Sequence, residues 1–500
     1  MKHIELRRGT YRDSVQLLQV SQAVGGLAGV TGAMVAMGTE LNLELIAGMG
    51  FDLPVDATAG DMVVAIATDD EPTRDAAIAA VDSALAAKAP RTTGDSTLPS
   101  PRTLGAAVDT AGATLALVST PGRFAFADAM DALDAGASVL VFSDNVPVEQ
   151  EIALKDRAAE RGLLVMGPDC GTAVVGGLGL GFANVVRPGP VGLVAASGTG
   201  AQQVMTLLDA AGVGLSHCLG VGGRDLSAAV AGRSTLAALD ALDADPATEV
   251  ILVVSKPPAP EVAERVREHA AKLSTPVVFG LLGGGRPDLT AVVTQVLGTL
   301  GRPVPRWPRW LPSDESPDLV APFGFGTGNL RGLYSGGTLC DEAMVIASAA
   351  LGPIASNIPL DPSWTIGADL KADGHAMLDF GDDALTAGRP HPMIDGTLRL
   401  ARLAEEAADP DCRVVLMDVV LGHGAHPDPA AELAPAIASA LVAADRPFDV
   451  VIALIGSDGD PQGVRGQAAE LQGVGARVYS SNAEAAREAV AILNPAEVTE

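Results

Sequence analysis

Residues 191–203 read VGLVAASGTGAQQ, and residues 332–338 read GLYSGGT. Each sets an apolar run, which reads as a buried strand, against a glycine-rich turn and then a helical pattern. A strand handing over to a helix through such a turn is the first half of a βαβ unit, so the chain is read as an α/β protein with parallel sheets. The glycines let the backbone curl until the first N–H groups of the helix point outward, where they have no partner inside the helix. The helix dipole then favours an anion at that end, and the hydroxyls add donors. Ser197, Gly198, Thr199 and Gly200, with Ser335, Gly336, Gly337 and Thr338, are therefore candidate ligands for one phosphate or carboxylate. A single turn of this kind is common in α/β domains that hold nothing. The copied pair, one per domain, is what gives the reading weight. Neither turn is GxxxxGK[ST], and no GxGxxG opens the early units, so a nicotinamide dinucleotide is disfavoured.

Working outward, the regions around the two turns follow one plan. GVGGRD at 220–225 answers DFGDD at 379–383, and SKPPAP at 255–260 answers LGHGAHPDP at 421–429. An internal duplication is the expected reading. Strand and helix patterns divide the chain into four α/β units: a small one at 1–88, a Rossmann-like one at 105–188, and two flavodoxin-type ones at 189–300 and 321–500. Pro- and Ser-rich stretches at 89–104 and 301–318 read as linkers. A length of 500 residues fits that count at about 150 residues per domain.

Composition narrows the function. Net charge is −28, so a phosphate polymer would be repelled and nucleic acid is excluded as a partner. Any small anion must be held by local devices, and Arg123, Arg224 and Lys256, each in a loop after a strand, are cations placed to attract one or to form salt bridges. No apolar run is long enough to span a membrane. The start, MKHIELRRGTYRD, is too polar for a signal peptide. The four cysteines, at 170, 218, 340 and 412, form no CxxC pair, which fits a reducing cytoplasm and argues against zinc or a disulfide framework.

Three further places carry chemistry. His423 and His426 lie in the loop LGHGAHPDP after an apolar strand, where they are candidates for proton transfer near neutral pH. An HxxH in a loop with no cysteine is too little for a metal site. Asp379 interrupts an apolar strand near its carboxyl end and is the third catalytic candidate. Arg389 and His391, in the stretch HAMLDFGDDALTAGRPHPMID at 375–395, are candidate partners for a substrate carboxylate. Asp382 and Asp383 read as the start of a helix, where carboxylates suit the dipole.

These motifs carry a resemblance. Residues 105–300 resemble the α subunit of succinyl-CoA synthetase. Gly167-Pro-Asp-Cys170 is similar to its GPNC turn, VGLVAASGTGAQQ to its phosphate-site helix, and GVGGRD to its GIGGD loop. Residues 328–490 resemble the carboxyl-terminal domain of the β subunit. The full order, including Gly9-Thr-Tyr-Arg-Asp-Ser-Val15 and DVVLGHGAHPDPA, resembles the FdrA family over nearly the whole length. The resemblance implies Rossmann-like and flavodoxin-like domains of succinyl-CoA synthetase type, without an ATP-grasp domain. Departures decide what else carries over. Where the synthetase family has its phosphate-carrying histidine, this chain has Gly-Gly-Gly-Arg-Pro-Asp at 283–288, and it has no histidine between His269 and His375. The family glutamate that steadies that histidine falls near Lys256. The Gly-rich CoA loop is missing as well, which leaves CoA as a doubtful ligand.

What the FdrA resemblance implies is a subunit of an oxamate carbamoyltransferase in allantoin and purine degradation. It would use phosphate or carbamoyl phosphate as ligand and work in a homo- or hetero-oligomer with separately encoded partner subunits. Two alternatives stand beside it: an NDP-forming acyl-CoA synthetase with a nucleotide-binding partner, and a non-catalytic scaffold that senses an anion at the old site.

Overall fold

The computed structural model describes residues 1–54, 56–86, 101–312, 328–386 and 389–494. Most of the first expected linker, the end of the second, and residues 87–88 of the first expected unit lie outside the described residues. The chain divides into two compact units. One takes residues 1–99 and 381–395, and the other takes residues 100–380 and 396–500.

The first unit opens with β1 (Lys2–Arg7), α1 (Ser14–Gly25), β2 (Val30–Met37), α2 (Glu40–Gly48), β3 (Met62–Thr68) and α3 (Glu71–Ala86). The sheet runs β1-β3-β2, with β3 antiparallel to both neighbours. The sheet of this small α/β unit is antiparallel, a point the sequence left open because strand periodicity reports which face a residue takes and not the strand's direction. Alternation along β3 serves two cores. Met62, Val64 and Ile66 pack with Leu17 and Val24 of α1 and Val81 of α3, while Val63 and Ala65 pack with Ile46 of α2 and with Phe51.

The second unit begins with α4 (Leu104–Ala111), β4 (Leu115–Val118), α5 (Gly122–Asp134), β5 (Ser138–Val141), α6 (Val148–Glu160) and β6 (Val165–Met166). Its three strands form a parallel sheet, β4-β5-β6. The next two strands, β7 (Thr172–Val175) and β8 (Leu178–Gly181), fall inside the stretch read as one domain at 105–188. They leave that sheet as an antiparallel hairpin and join the following one. That following sheet contains β9 (Pro188–Ala196), α7 (Gly198–Ala210), β10 (Leu215–Gly220), α8 (Arg233–Asp243), β11 (Val250–Ser255), α9 (Pro260–Ala270), β12 (Val277–Leu281) and α10 (Leu289–Thr299). Its order is β12-β11-β9-β10-β7-β8, with β9 to β12 parallel.

The last sheet adds β13 (Arg309–Trp310), β14 (Asn329–Tyr334), α11 (Gly337–Leu351) and β15 (Ala376–Asp379). The short α12 (Asp383–Thr386) belongs to the first unit. Then come α13 (Thr397–Ala408), β16 (Cys412–Val420), α14 (Pro429–Ala444), β17 (Asp449–Ile455), α15 (Val464–Gly473), β18 (Arg477–Tyr479) and α16 (Asn482–Leu493). The order is β13-β18-β17-β16-β14-β15, parallel except for the edge strand β13. Counted along the chain, the parallel strands of the two large sheets run 2-1-3-4 and 2-1-3-4-5. That is one flavodoxin-like plan used twice, as the duplicated motifs implied. In this plan the connections leave the first strand in opposite directions on its two sides, which opens a crevice beside its carboxyl end. The helices that start there are α7 and α11.

The Gly-Pro-Asp-Cys and GVGGRD loops are locked together for packing. A Cβ on Gly220 would collide with Cys170 Sγ, and one on Gly222 with the Pro168 carbonyl oxygen. Gly167–Pro168 is a cis peptide, and Asp169 has φ of 55°. Beneath them lies a buried charged network. Lys155 Nζ donates to Glu151 Oε1 and Asp225 Oδ1, each at 2.7 Å, and to the Val221 carbonyl at 3.0 Å. Asp225 also accepts from the N–H groups of Ser234 and Thr235 at the start of α8. Arg224, one of the three expected loop cations, is spent here, donating to Glu151 at 3.1 Å and to the Val146 carbonyl at 2.7 Å.

Candidate functional site

The carboxyl ends of β9 and β14 bring the two glycine-rich turns face to face. Ser197 caps α7: its Oγ accepts from Gly200 N–H at 3.0 Å and donates to Thr338 Oγ1, on the first turn of α11, at 2.7 Å. Thr199 crosses to the other turn, where a Cβ on Gly336 would lie 2.7 Å from its Oγ1. A Cβ on Gly200 would meet Thr338 Cγ2 at 3.0 Å, so these two glycines are what lets the helix starts approach. Ser197, Thr199 and Thr338 are all buried. The N–H groups of Gly198 and Thr199 on α7, and of Gly337, Thr338 and Leu339 on α11, have no acceptor among the described residues. Two positive helix ends with unused donors thus converge, which is an arrangement able to take an anion.

Ser335 departs from the expectation placed on it. Its N–H and Oγ both donate to Asp418 Oδ1, at 2.7 and 2.9 Å, and the N–H of Gly336 donates to Asp418 Oδ2 at 2.9 Å. Those donors are committed inside the protein, so Ser335 and the Gly336 N–H hold the turn in place and are not ligands. Asp418 is fully buried on β16, with Arg399 of α13 at 3.2 Å. Burial pushes its carboxyl up, and Arg399 and the three donors act against that. Sequence reasoning passed over Asp418. An acid inside the apolar run VVLMDVV was the available signal, since a charge in a buried strand needs partners.

Charged groups surround the start of α11. Lys256 follows β11 in the other sheet, and its Nζ lies 3.3 Å from Asp341 Oδ2 on α11. A Cβ on Gly337 would sit 2.9 Å from that Nζ and 2.5 Å from Asp379 Oδ2. Burial works against the Lys256 ammonium, but the carboxylates of Asp341 and Asp379 more than offset it, and its pKa is raised. Asp379 ends β15 opposite Tyr334, and Asn357 clamps its backbone through two hydrogen bonds of 2.9 Å. Cys340 is buried beside them with its thiol pushed well up by burial, which makes it unreactive. Cys170, in the Gly-Pro-Asp-Cys turn, is likewise pushed up to about 12 by burial.

The histidine loop does not join this group in the way expected. His423 is exposed, and its backbone pairs with Ala183 ahead of β9, His423 N–H to the Ala183 carbonyl at 2.8 Å and the reverse at 3.2 Å. His426 is occupied: its Nδ1 accepts from Asp428 N–H at 3.1 Å, and its Nε2 lies 3.3 Å from Glu432 on the first turn of α14. The bond to Glu432 raises its pKa. The two ring nitrogens of His426 thus both face the start of α14. Arg389 and His391 belong to the first unit, where Arg389 is buried with Asp395 at 3.8 Å and His391 Nδ1 accepts from Met393 N–H at 3.2 Å.

Comparison with known proteins places the chain. Over 508 aligned residues it is 37% identical to the uncharacterized protein YahF of Escherichia coli K12, covering 96% of each chain. The chain belongs to the YahF family. Its residues 333–492 match the CoA-ligase family model, and residues 1–101 match the model described as AllF, heavy metal-associated domain. It is also 31% identical, over 185 residues, to the α subunit 2 of the ADP-forming succinate–CoA ligase of Archaeoglobus fulgidus, spanning 35% of this chain and 61% of that one. Among solved structures, ATP citrate lyase from Methanothrix soehngenii aligns at 19% identity and a TM-score of 0.33, over 45% of this chain and 46% of that one. Among the described residues no helix is long and apolar enough to cross a membrane.

Proposed function

We propose that this YahF-family chain is the phosphate-handling subunit of a carbamoyltransferase that moves a carbamoyl group between phosphate and oxamate. The observation that carries the reading is the pair of facing helix starts. The unused N–H groups of Gly198, Thr199, Gly337, Thr338 and Leu339, with the hydroxyls of Thr199 and Thr338, suit an oxyanion. The chain's lack of a histidine between His269 and His375 favours direct transfer over a phosphohistidine relay.

In the reaction read this way, the oxamate amide nitrogen attacks the carbamoyl carbon of carbamoyl phosphate. The carbon–oxygen bond to phosphate breaks, the nitrogen loses one proton, and oxalurate and phosphate are the products. The helix starts steady the leaving phosphate, Lys256 adds a positive charge, and Asp379 is the acceptor for the proton. Holding both reactants in one crevice supplies much of the remaining rate. His423 is the alternative proton carrier. Its exposure and the engagement of its backbone at Ala183 favour Asp379 over it. Separately encoded partner subunits and a cytoplasmic setting complete the proposal.

The second reading, acyl-CoA formation, is favoured by the CoA-ligase match over 333–492. One set of assays separates the two. Phosphate-dependent breakdown of oxalurate, measured with and without the products of neighbouring genes, supports carbamoyl transfer. ATP-dependent thioester formation with no oxalurate breakdown replaces it with the ligase.

A further inference from the structure

The match of residues 1–101 to a heavy metal-associated domain implies a soft-metal ion in the first unit, and the donors there do not fit one. Soft divalent and monovalent ions are held by thiolates, thioethers and imidazoles. This stretch has no cysteine, the first in the chain being Cys170, and its one histidine is His3. Its five methionines are at 1, 34, 37, 49 and 62, and the Met1 sulfur already accepts from Arg74 Nη1 at 3.6 Å. Met37 and Met62 face each other across β2 and β3, but both are buried in the apolar core with Leu17 and Val24. Met34 packs on the opposite face of the sheet, with Ile46 and Phe51. Among the described residues no group of three His, Cys, Asp or Glu side chains is placed to hold a metal ion.

A carboxylate fastens the loops at one end of this sheet. Asp61, nearly buried just before β3, accepts from Gly9 N–H at 2.8 Å in the β1–α1 loop. It also accepts from Thr58 N–H at 3.0 Å and Thr58 Oγ1 at 2.7 Å. Its own carbonyl accepts from Gly38 N–H at 2.7 Å, after β2. Three separate loops are thus tied to one residue. The hydrogen bonds from Thr58 and Gly9 hold the Asp61 carboxyl below its usual range, as expected of a carboxylate that receives several donors.

We infer that the matched stretch, residues 1–101, is a metal-free member of its domain family, in which Asp61 closes the loop end of the sheet by hydrogen bonding and no soft-metal ion takes part. The test uses the full-length chain, reduced and loaded separately with Cu(I) and Zn(II), then passed over a competing chelator and assayed for bound metal by mass spectrometry. The expected result is less than a tenth of an equivalent of either metal, with a melting temperature unmoved by chelator. Asp61→Asn should lower the melting temperature equally with and without chelator. One equivalent retained and lost on His3→Ala, or on Met37→Leu with Met62→Leu, overturns the inference. Metal retained and lost only on substitution of Cys170, Cys218, Cys340 or Cys412 lies outside the first unit and leaves the inference standing. If Asp61→Asn proves insoluble, the metal count on the unaltered chain still decides.

Discussion

Glu342→Gln should reverse part of the pH dependence of stability. Glu342 is buried one turn into α11, where its Oε1 accepts from Leu289 N–H at the start of α10 at 2.6 Å and its Oε2 from Asn482 Nδ2 at the start of α16 at 2.7 Å. Burial raises its pKa to about 7, Asp288 adding to the shift while the two donors and Arg487 act against it. The ordinary value of 4.5 is the reference for the unfolded chain. A carboxyl whose folded pKa is raised binds its proton more tightly when folded. Its contribution to stability is therefore full at low pH and is lost as pH rises through the folded pKa. Between pH 5 and pH 8 the loss comes to about 2.5 kcal/mol from the two values. The glutamine variant has no such titration. Any fixed cost of placing an amide against Asn482 cancels when the variant and the parent are compared across pH. Urea unfolding of both proteins, followed by fluorescence of Trp307, Trp310 and Trp364 in the same unit, should show the variant gaining about 2.5 kcal/mol on the parent between those pH values. A difference that stays level within about 0.5 kcal/mol would refute the argument that Glu342 is protonated on folding near neutrality.

Other expectations follow from the same geometry. Lys155→Met leaves Glu151 and Asp225 buried without their shared cation, and should cost about 3–5 kcal/mol by chemical denaturation. Thr199→Val and Thr338→Val should each weaken inorganic phosphate binding in calorimetry by several-fold, and unchanged affinity in both would remove the facing-helix reading. Lys256→Gln should weaken phosphate about tenfold, roughly 1.4 kcal/mol, and should also lower the melting temperature of the unliganded chain, since Asp341 and Asp379 lose their shared cation. For His426 the folded pKa is raised by Glu432, so its contribution is full below the unfolded pKa and fades as pH rises. His426→Ala should accordingly lower the melting temperature more at pH 6 than at pH 8.

Much of the second unit was legible in residues 191–203 and 332–338. Apolar runs ending in Ser-Gly turns dictate strand, turn and helix, and their repetition foretold two sheets of one plan. The hairpin at 172–181 was not read from the sequence, and its four-residue strands, which satisfy the same pattern wherever they pair, join the following sheet. Ser335 looked like a ligand because a hydroxyl at a helix start donates equally well to an anion or to a buried carboxylate. Its partner, Asp418, is 83 residues away. The partners of the histidine loop were hidden for a different reason, being local. His426 sits two residues from Asp428 and six from Glu432, and a local cap absorbs it.

The sequence by itself determined the local handovers from strand to helix, the duplication, and the absence of cysteine from the first 101 residues, since each is a property of neighbouring residues or of composition. Tertiary structure alone decided that Ser197 and Thr338 touch, that Lys256 crosses from one sheet to the start of a helix in the other, and that Arg224 is spent on Glu151. Those pairings join residues 73 to 141 positions apart. Which of several equivalent donors meets a buried acceptor is settled by packing within the second unit, and no local pattern encodes it.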